Sequence, residues 1–520
     1  MAPPTTHITA ASAPGKVLLT GGYLVLDRNY NGLVLALDAR IHSIVRQVQK
    51  TADDASRGTS DSSDTIIVRS PQFIDAVWEY TTEKLPNLGG IRASQVGDGP
   101  KNPFVETALN YALTYVSHVT GLSSFGALDI MILADNDYYS ETETSRESKK
   151  SRFANFGVKL QDAHKTGLGS SAALVTSLTS AITLHHALQT DSVYSARDRL
   201  HNLAQAAHCA AQGKIGSGFD IAAAVYGTCR YRRFSPSILE KVGDFGSDGF
   251  ADRLFSIVED VYPDTTWDAE ICDIGLKLPR GLQMVLCDVD CGSQTPGMVR
   301  KVLQWRKDSP EEAEMIWDEL QRCNDKLREE IINTATMSGL ASFSSRPPTA
   351  SSVGNQKAQG PPLNVSSIVS SQQQQQQSRS HNLSQDSLPA NGAPNFQTIA
   401  EALSRIRFYL KTMTSRAKVP IEPPAQTRLL DGIIESVDGI VGGVVPGAGG
   451  YDAIALLVHS DVNVLKSLRT FLSTWETSEA AKTIDEFGGK VERVRLLNVV
   501  HGSDGMRMEK DLRLYASWLE

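Results

Sequence analysis

Residues 165–184 read KTGLGSSAALVTSLTSAITL and place two glycines and two serines directly before a run of helix-forming residues. The segment 167–172 fits the glycine-rich G-x-G-x-x-A pattern of dinucleotide-binding folds. It also fits a loop that holds nucleotide phosphates, because glycines allow close backbone approach and a helix start attracts anions. A third interpretation is a buried helix that is merely capped by Ser170 or Ser171.

The flanking sequence disfavours the dinucleotide fold. Such a fold needs a buried strand before the glycines and a second strand after the helix. The residues before the glycines, QDAHKT, are polar, and a second helical segment, residues 192–212, follows the first. A G-x-x-x-x-G-K-[ST] loop is also missing from the sequence. On these residues alone, the phosphate loop and the capped helix both stay open.

The composition of the chain limits the classes of function. A chain of 520 residues is long enough for two or three domains. Its net charge of −8 disfavours a general nucleic-acid binder. We find no secretory signal, no apolar run of about 20 residues and no dense cysteine framework. These features predict a cytoplasmic protein without nucleic-acid binding or membrane insertion.

Strand-like and helical segments follow one another without regular β-α alternation, which favours an α+β fold. Runs of branched residues predict strands near the amino terminus and at residues 128–133, 282–289 and 453–458. Helical spacing predicts helices from about residue 102 and at residues 170–188, 192–212, 396–417 and 426–437. Residues 338–394 are rich in Ser, Gln, Pro and Asn, and this composition predicts a disordered insertion.

Two further segments change the interpretation of the glycine-rich stretch. They are SAPGKVLLTGGYLVLD, which begins at Ser12, and GGVVPGAGGYDAIALLV, which ends at Val458. Together with KTGLGSSAALV they resemble, in order and spacing, the three signature motifs of the GHMP kinases, a superfamily of ATP-dependent small-molecule kinases. Within that superfamily, GGYLVLD and TGLGSSAALV are most similar to phosphomevalonate kinases of the fungal type.

The resemblance implies a two-lobed fold with ATP in the cleft between the lobes. The first lobe is expected to be β-rich with a left-handed β-α-β unit, and the second to be ferredoxin-like. We accordingly expect an ATP-binding domain, residues 1–233, and a second domain, residues 234–520, which the insertion at 338–394 interrupts.

The resemblance also implies an activity. The γ-phosphoryl group of ATP would pass to 5-phosphomevalonate, with Mg²⁺ as cofactor, to give 5-diphosphomevalonate and ADP in the mevalonate pathway of isoprenoid and sterol biosynthesis. The expected partners are these small molecules, and the expected assembly is a monomer or a homodimer.

Matching positions give the expected site residues. Lys16 and Asp220 are expected to be catalytic. The ATP phosphates are expected on the second motif, at Lys165, Gly167, Leu168, Gly169, Ser170, Ser171 and Ala172, with Mg²⁺ on Ser171. Substrate binding is expected from Ser217, Ser293, Thr295, Arg300, Gly447, Ala448 and Gly449. Because two polyanions must meet, Lys301, Arg232 and Arg233 are weaker candidates for further cations.

Asp220 leaves two points open. Without the family, it reads as a cap for the helix at residues 221–225. With the family, it matches the residue usually assigned as the catalytic base. A phosphomonoester, however, has a second pKa of about 6 and is largely dianionic at pH 7, so little proton removal is needed. We therefore expect Asp220 mainly to position Lys16 and the acceptor phosphate.

Two other functions stay open on the sequence. One is a GHMP kinase with another acceptor, such as mevalonate or homoserine. The other is a catalytically inactive relative that senses a ligand, although retention of Lys16, Ser171 and Asp220 argues against it. The glutamine-rich insertion is expected to be a spacer, with an interaction module as the alternative.

Overall fold

The computed structural model describes residues 7–48, 65–140, 142, 145, 151–188, 193–262, 264–289, 295–337 and 395–519. The segment expected to be disordered, residues 338–394, lies outside the described residues, and so does Ser293.

The described strands are β1 Ile8–Thr20, β2 Gly32–Gln47, β3 Thr65–Arg69, β4 Val77–Leu85, β5 Gly90–Gln95, β6 Leu128–Ala134, β7 Cys229–Arg232, β8 Glu270–Cys272, β9 Leu282–Val289, β10 Ile440–Val444, β11 Ala453–His459, β12 Val494–Leu496, β13 His501–Gly502 and β14 Arg507–Met508.

The described α-helices are α1 Pro103–Thr120, α2 Ser170–His186, α3 Val193–Ala211, α4 Phe219–Tyr226, α5 Ser237–Glu240, α6 Phe250–Val258, α7 Thr295–Asp308, α8 Pro310–Met337, α9 Gln397–Ala417, α10 Pro424–Ser436, α11 Val462–Trp475, α12 Glu479–Lys482 and α13 Ala516–Leu519. Short 3₁₀ helices lie at Leu24–Leu26, Asn136–Tyr138, Leu160–Asp162 and Leu512–Tyr515.

The first lobe is built on a ten-stranded sheet. Its main path is β14-β1-β2-β6-β3-β4-β5, and β13, β7 and β8 join it at its side through β2. The long antiparallel pair β1–β2 shifts register between Pro14 and Lys16, where proline cannot donate to the ladder. β3 and β6 are parallel, and the chain between them carries α1. The β-rich first lobe is confirmed, and the left hand of this crossover stays a prediction.

The second lobe is built on a four-stranded antiparallel sheet with the order β10-β11-β9-β12. Helices α7 to α10 lie between β9 and β10 in the chain, and α11 and α12 lie between β11 and β12. A β-α-β-β-α-β sequence with this strand order is the ferredoxin-like arrangement, so the prediction for the second lobe is confirmed.

Local sequence signals explain where the helices near the site begin and end. Asn102 caps α1 by accepting a hydrogen bond of 3.3 Å from the amide of Val105, proline occupies the first turn, and Gly121 ends the helix with a φ of 76°. Helix α2 is buried over most of its length between α1 and the first sheet. Its Ala, Ser and Thr side chains are small enough to allow this close packing.

The two sheets do not divide the chain at residue 233. Strands β13 and β14, beyond residue 500, pair with β2 and β1 of the first sheet, and β8 pairs with β7. The first lobe therefore contains residues from both sides of the expected boundary. Among the described helices, none is both long and apolar enough to cross a membrane.

Candidate active site

A cleft of about 870 Å³ lies where the three sequence motifs meet. The first motif contributes Lys16 and the second contributes Gly167 and Leu168. The second lobe contributes side chains of α7 and the loop at residues 446–449, which joins β10 to β11. Both lobes therefore form the walls of one cavity.

Direct hydrogen bonds join the motifs. The amide of Lys16 donates to the carbonyl of Leu168 at 2.9 Å, and the amide of Gly447 donates to the carbonyl of Leu18 at 3.1 Å. The hydroxyl of Tyr23 donates to the carbonyl of Ala448 at 2.7 Å. The first motif is thus bonded to the other two, and it fixes the loop of the second lobe against the first lobe.

The start of α2 directly follows the loop residues Gly167 and Leu168, which line the cleft. Its N-cap residue is Gly169 with a φ of 82°, and among the described residues no side chain caps the helix. The interpretation of Ser170 or Ser171 as a simple cap is therefore wrong. The first amides of α2, together with the helix dipole, favour an anion at this point.

Lys16 points its side chain across this helix start. A Cβ on Gly169 would lie 2.8 Å from Cε of Lys16, so the lysine occupies the space that the glycine leaves. Its ammonium lies 5.5 Å from the centre of the Phe219 ring. Burial lowers the pKa of Lys16, and the carboxylate of Asp220 opposes this shift.

Asp220 lies in the first turn of α4, and the N-cap of that helix is Gly218 with a φ of 85°. Its Oδ1 accepts a hydrogen bond of 3.0 Å from the amide of Ile221. A Cβ on Gly218 would lie 2.7 Å from the hydroxyl of Tyr231, so only glycine fits there without rearrangement. Asp220 is therefore not the N-cap residue of α4, although its carboxylate accepts from an amide of the first turn, and it lines the cleft.

His208, which no sequence motif marked, lies between two of the expected residues. Its Nε2 is 3.1 Å from Oγ of Ser171, and its Nδ1 is 3.8 Å from Oδ2 of Asp220. Gln212, the residue directly after the end of α3, places its side-chain nitrogen 3.2 Å from the same Nε2. Only 2% of the His208 side chain is exposed. A histidine within the small residues AAHCAAQ was the one available signal.

The structure brings most of the expected residues together. The cleft is lined by Lys16, Asp220, Gly167, Leu168, Ser217, Arg300, Gly447, Ala448 and Gly449. Gly169, Ser170 and Ser171 are half-buried next to this lining, whereas Ala172 is buried in the core and Lys165 is exposed outside the lining. Thr295 begins α7, and the position of its side chain is not described.

The candidate cations have different surroundings. Arg300, on α7, and Lys214, in the loop after α3, are both exposed and line the cleft. No sequence motif marked Lys214. Arg233 also lines the cleft, but its guanidinium donates to the carbonyls of Leu26, Ile215 and Gly216 at 2.9, 3.2 and 2.9 Å. It therefore supports the loops around the cleft.

The other two candidates lie outside the cleft lining. Arg232 pairs with Glu270, and Lys301 is exposed.

Mg²⁺ fits this site only together with a nucleotide. Among the described residues, no group of three or more His, Cys, Asp or Glu side chains is arranged to hold a metal ion. Mg²⁺ commonly keeps several waters and binds through substrate phosphates with one or two protein ligands. The hydroxyl of Ser171 and the carboxylate of Asp220 are oxygen donors of this kind near the start of α2.

Comparison with known proteins agrees with this arrangement. Residues 150–228 match the family described as GHMP kinases N terminal domain. The phosphomevalonate kinase of Aspergillus fumigatus is 51% identical over 540 residues and 100% of both chains. That of Gibberella zeae is 41% identical over 98% of both chains. A relative from Arabidopsis thaliana, described as a peroxisomal phosphomevalonate kinase, is 31% identical over 87% of this chain and 90% of its own.

Solved structures show the same fold. The phosphomevalonate kinase of Streptococcus pneumoniae, in complex with phosphomevalonate and AMPPNP, superposes with a TM-score of 0.53 at 13% identity, covering 94% of this chain and 99% of that chain. Because relatives more than 40% identical match along the full length, the chain belongs to the phosphomevalonate kinases of the fungal type, within the GHMP kinase superfamily.

Proposed function

We propose that the protein transfers the γ-phosphoryl group of ATP to 5-phosphomevalonate and releases 5-diphosphomevalonate and ADP. One observation carries the proposal: a single cleft is lined by Lys16, by Asp220 and by the loop at residues 166–168 that leads into the uncapped start of α2. An anion site, a cation and a carboxylate in one cavity are the parts that phosphoryl transfer needs.

The nucleotide would lie with its phosphates at the start of α2. Gly167 and Gly169, with φ angles of 73° and 82°, hold the loop in a conformation that side chains rarely adopt. This conformation exposes backbone amides, which bind phosphate oxygens without a charged side chain. When bound, Mg²⁺ would neutralise phosphate charge, and Ser171 is the residue we assign to it.

The acceptor would lie on the other side of Lys16, toward the second lobe. 5-Phosphomevalonate carries a carboxylate and a phosphate, so its site needs cations. Lys214 and Arg300 are exposed at the cleft wall, where an arriving anion reaches them.

In the transfer, an oxygen of the acceptor phosphate forms the new bond to the γ-phosphorus, and the bond from that phosphorus to the bridging oxygen breaks. ADP leaves with the electron pair. Negative charge spreads over the transferring group, and the ammonium of Lys16 stabilises it more strongly in a buried site than in water. Asp220 keeps Lys16 charged and in place, since the acceptor phosphate is already ionised.

A coupled assay of ADP release tests the proposal across phosphomevalonate, mevalonate, homoserine and galactose. We expect turnover with phosphomevalonate to exceed that with the three alcohols by at least a hundredfold in kcat/KM. Preference for an alcohol would replace the proposed acceptor. ATP binding without turnover of any of the four would instead indicate a ligand sensor.

Location and assembly are separate proposals. We propose a cytoplasmic enzyme that is a monomer or a homodimer, as expected from the sequence. The Arabidopsis thaliana relative is described as peroxisomal, so fractionation of the producing cells decides this point.

A further inference from the structure

His208 lies between Ser171, which we assign to the metal–nucleotide complex, and Asp220, which we assign to Lys16 and the acceptor phosphate. Its Nε2 lies 3.1 Å from Oγ of Ser171, and its Nδ1 faces Oδ2 of Asp220 at 3.8 Å. The three side chains come from three helices, α2, α3 and α4. Both ring nitrogens of this buried histidine therefore have polar partners, which offset the cost of its burial and connect it to Ser171 and Asp220.

The negative charge on Asp220 favours one tautomer of the His208 imidazole. In a neutral imidazole one nitrogen carries the proton and the other accepts. The carboxylate of Asp220 favours the proton on Nδ1, which faces it. Nε2 is then the acceptor, and the hydroxyl of Ser171 donates to it. The lone pairs of Oγ are left free.

The direction of that hydroxyl decides what Ser171 can bind. A serine holds a metal ion through its oxygen lone pairs, and its proton must point elsewhere. A hydroxyl that donates to Nε2 of His208 meets this condition. The side-chain NH2 of Gln212, 3.2 Å from the same nitrogen, is a second donor, so it also requires Nε2 to be the acceptor and shares its lone pair with Ser171. The ring of Phe104, whose centre is 5.9 Å away, packs beside the imidazole.

We propose that His208 is a positioning residue that turns the hydroxyl of Ser171 so that its oxygen faces the metal–nucleotide complex, while Asp220 fixes the tautomer of its ring. The inference rests on the proposed function. It adds a residue that touches neither substrate in our assignment and acts through Ser171. Partners of this kind commonly change metal affinity or activity by about tenfold to a hundredfold when removed.

Two conservative variants separate the two ends of the ring. His208→Gln places an amide oxygen near the position of Nε2 and keeps an acceptor for Ser171. His208→Asn places its polar group near Nδ1 and leaves Ser171 without that acceptor. The readout is binding of ADP measured by calorimetry, with Mg²⁺ and again with EDTA, alongside the thermal midpoint of each variant.

We expect His208→Asn to weaken the binding of ADP with Mg²⁺ about tenfold or more and to leave the binding of metal-free ADP unchanged. The ADP affinity of His208→Gln should stay within about threefold of the wild type. In a Ser171→Ala background, His208→Asn should not weaken the binding of ADP with Mg²⁺ any further, because the effects of residues that act through one group are not additive. Equal losses with and without Mg²⁺, equal losses in Gln and Asn variants, or full additivity with Ser171→Ala would each overturn the proposal.

Two controls keep the result interpretable. If His208→Asn does not fold, His208→Leu, which also removes the acceptor for Ser171, is measured in its place, alone and in the Ser171→Ala background, and the same results support or overturn the proposal. Turnover of phosphomevalonate by the wild type is measured in parallel. A protein that binds ADP as expected but does not phosphorylate phosphomevalonate contradicts the proposed function and leaves the role of His208 supported.

Discussion

The amide of Lys16 donates a hydrogen bond of 2.9 Å to the carbonyl oxygen of Leu168, which joins the first motif to the phosphate loop. The side chain of the same lysine then passes in front of Gly169, where a Cβ would lie 2.8 Å from Cε. The lysine side chain can lie there only because Gly169 has no Cβ.

Gly169→Ala should reduce turnover more than Gly167→Ala. Both positions have a positive φ, so each alanine is expected to cost about 1–2 kcal/mol of folding stability. At Gly167 no described atom lies within 4 Å of the position that the new methyl group would take, whereas at Gly169 the methyl group displaces Lys16. We expect kcat to fall at least tenfold in Gly169→Ala but not in Gly167→Ala. Chemical denaturation checks the stability, and equal kcat values would contradict the account.

The pH dependence of turnover should report on Lys16. Burial lowers its pKa, so the ammonium loses its proton at a lower pH than an exposed lysine does, and the rate should fall on the alkaline side as it does so. In Lys16→Arg the guanidinium stays charged, so any remaining activity should lack this fall. A pH profile of kcat for the two proteins makes the comparison, and an identical alkaline fall in both would rule out Lys16 as its source.

Asp220→Asn should keep appreciable turnover at pH 7, because the acceptor phosphate needs no base. The carboxylate opposes the lowering of the Lys16 pKa. Its removal should therefore move the alkaline fall of kcat to a lower pH. A loss of four or more orders of magnitude, with activity restored at high pH, would instead assign Asp220 as a general base.

Arg300→Ala should raise the KM for phosphomevalonate about tenfold or more and change the KM for ATP little. A hydrogen bond to a charged group contributes about 1.5–3 kcal/mol, and Arg300 lines the cleft on the side of the second lobe. Arg232→Ala is the matched control, because Arg232 pairs with Glu270 outside the lining. Equal effects of the two variants would show that general charge is sufficient.

Replacement of residues 338–394 by a short Gly/Ser linker should leave kcat and both KM values within about twofold of the full chain. The segment joins α8, which ends at Met337, to α9, which begins at Gln397. Steady-state kinetics on the shortened chain decides, and a large loss of activity would assign the insertion a role in the enzyme.

The elements predicted well are those whose signal is local. Helix α2 and strands β9 and β11 lie within two residues of the expected bounds, because periodicity and glycine positions mark them directly. Strands β13 and β14 have two residues each, and their pairing with β2 and β1 depends on contacts across more than 400 residues of chain. No local pattern specifies such pairs.

The same distinction applies to the site. Lys16, Gly167 and Asp220 were found because they belong to contiguous motifs. His208 and Lys214 were missed because their importance arises from the packing of α3 against α2 and α4, which brings the histidine ring to Ser171. In the sequence, His208 is simply one polar residue in a buried helix.

The central claim is that the cleft where the three motifs meet transfers a phosphoryl group to a phosphate. It is tested most directly by ³¹P NMR of the wild type and of Lys16→Met after incubation with ATP, Mg²⁺ and 5-phosphomevalonate. We predict that the wild type converts the phosphomonoester signal into two diphosphate signals, and that Lys16→Met folds and binds ADP but forms this product at least a hundredfold more slowly. Formation of the product at the same rate by both proteins, or of a second phosphomonoester in place of a diphosphate, would contradict the account.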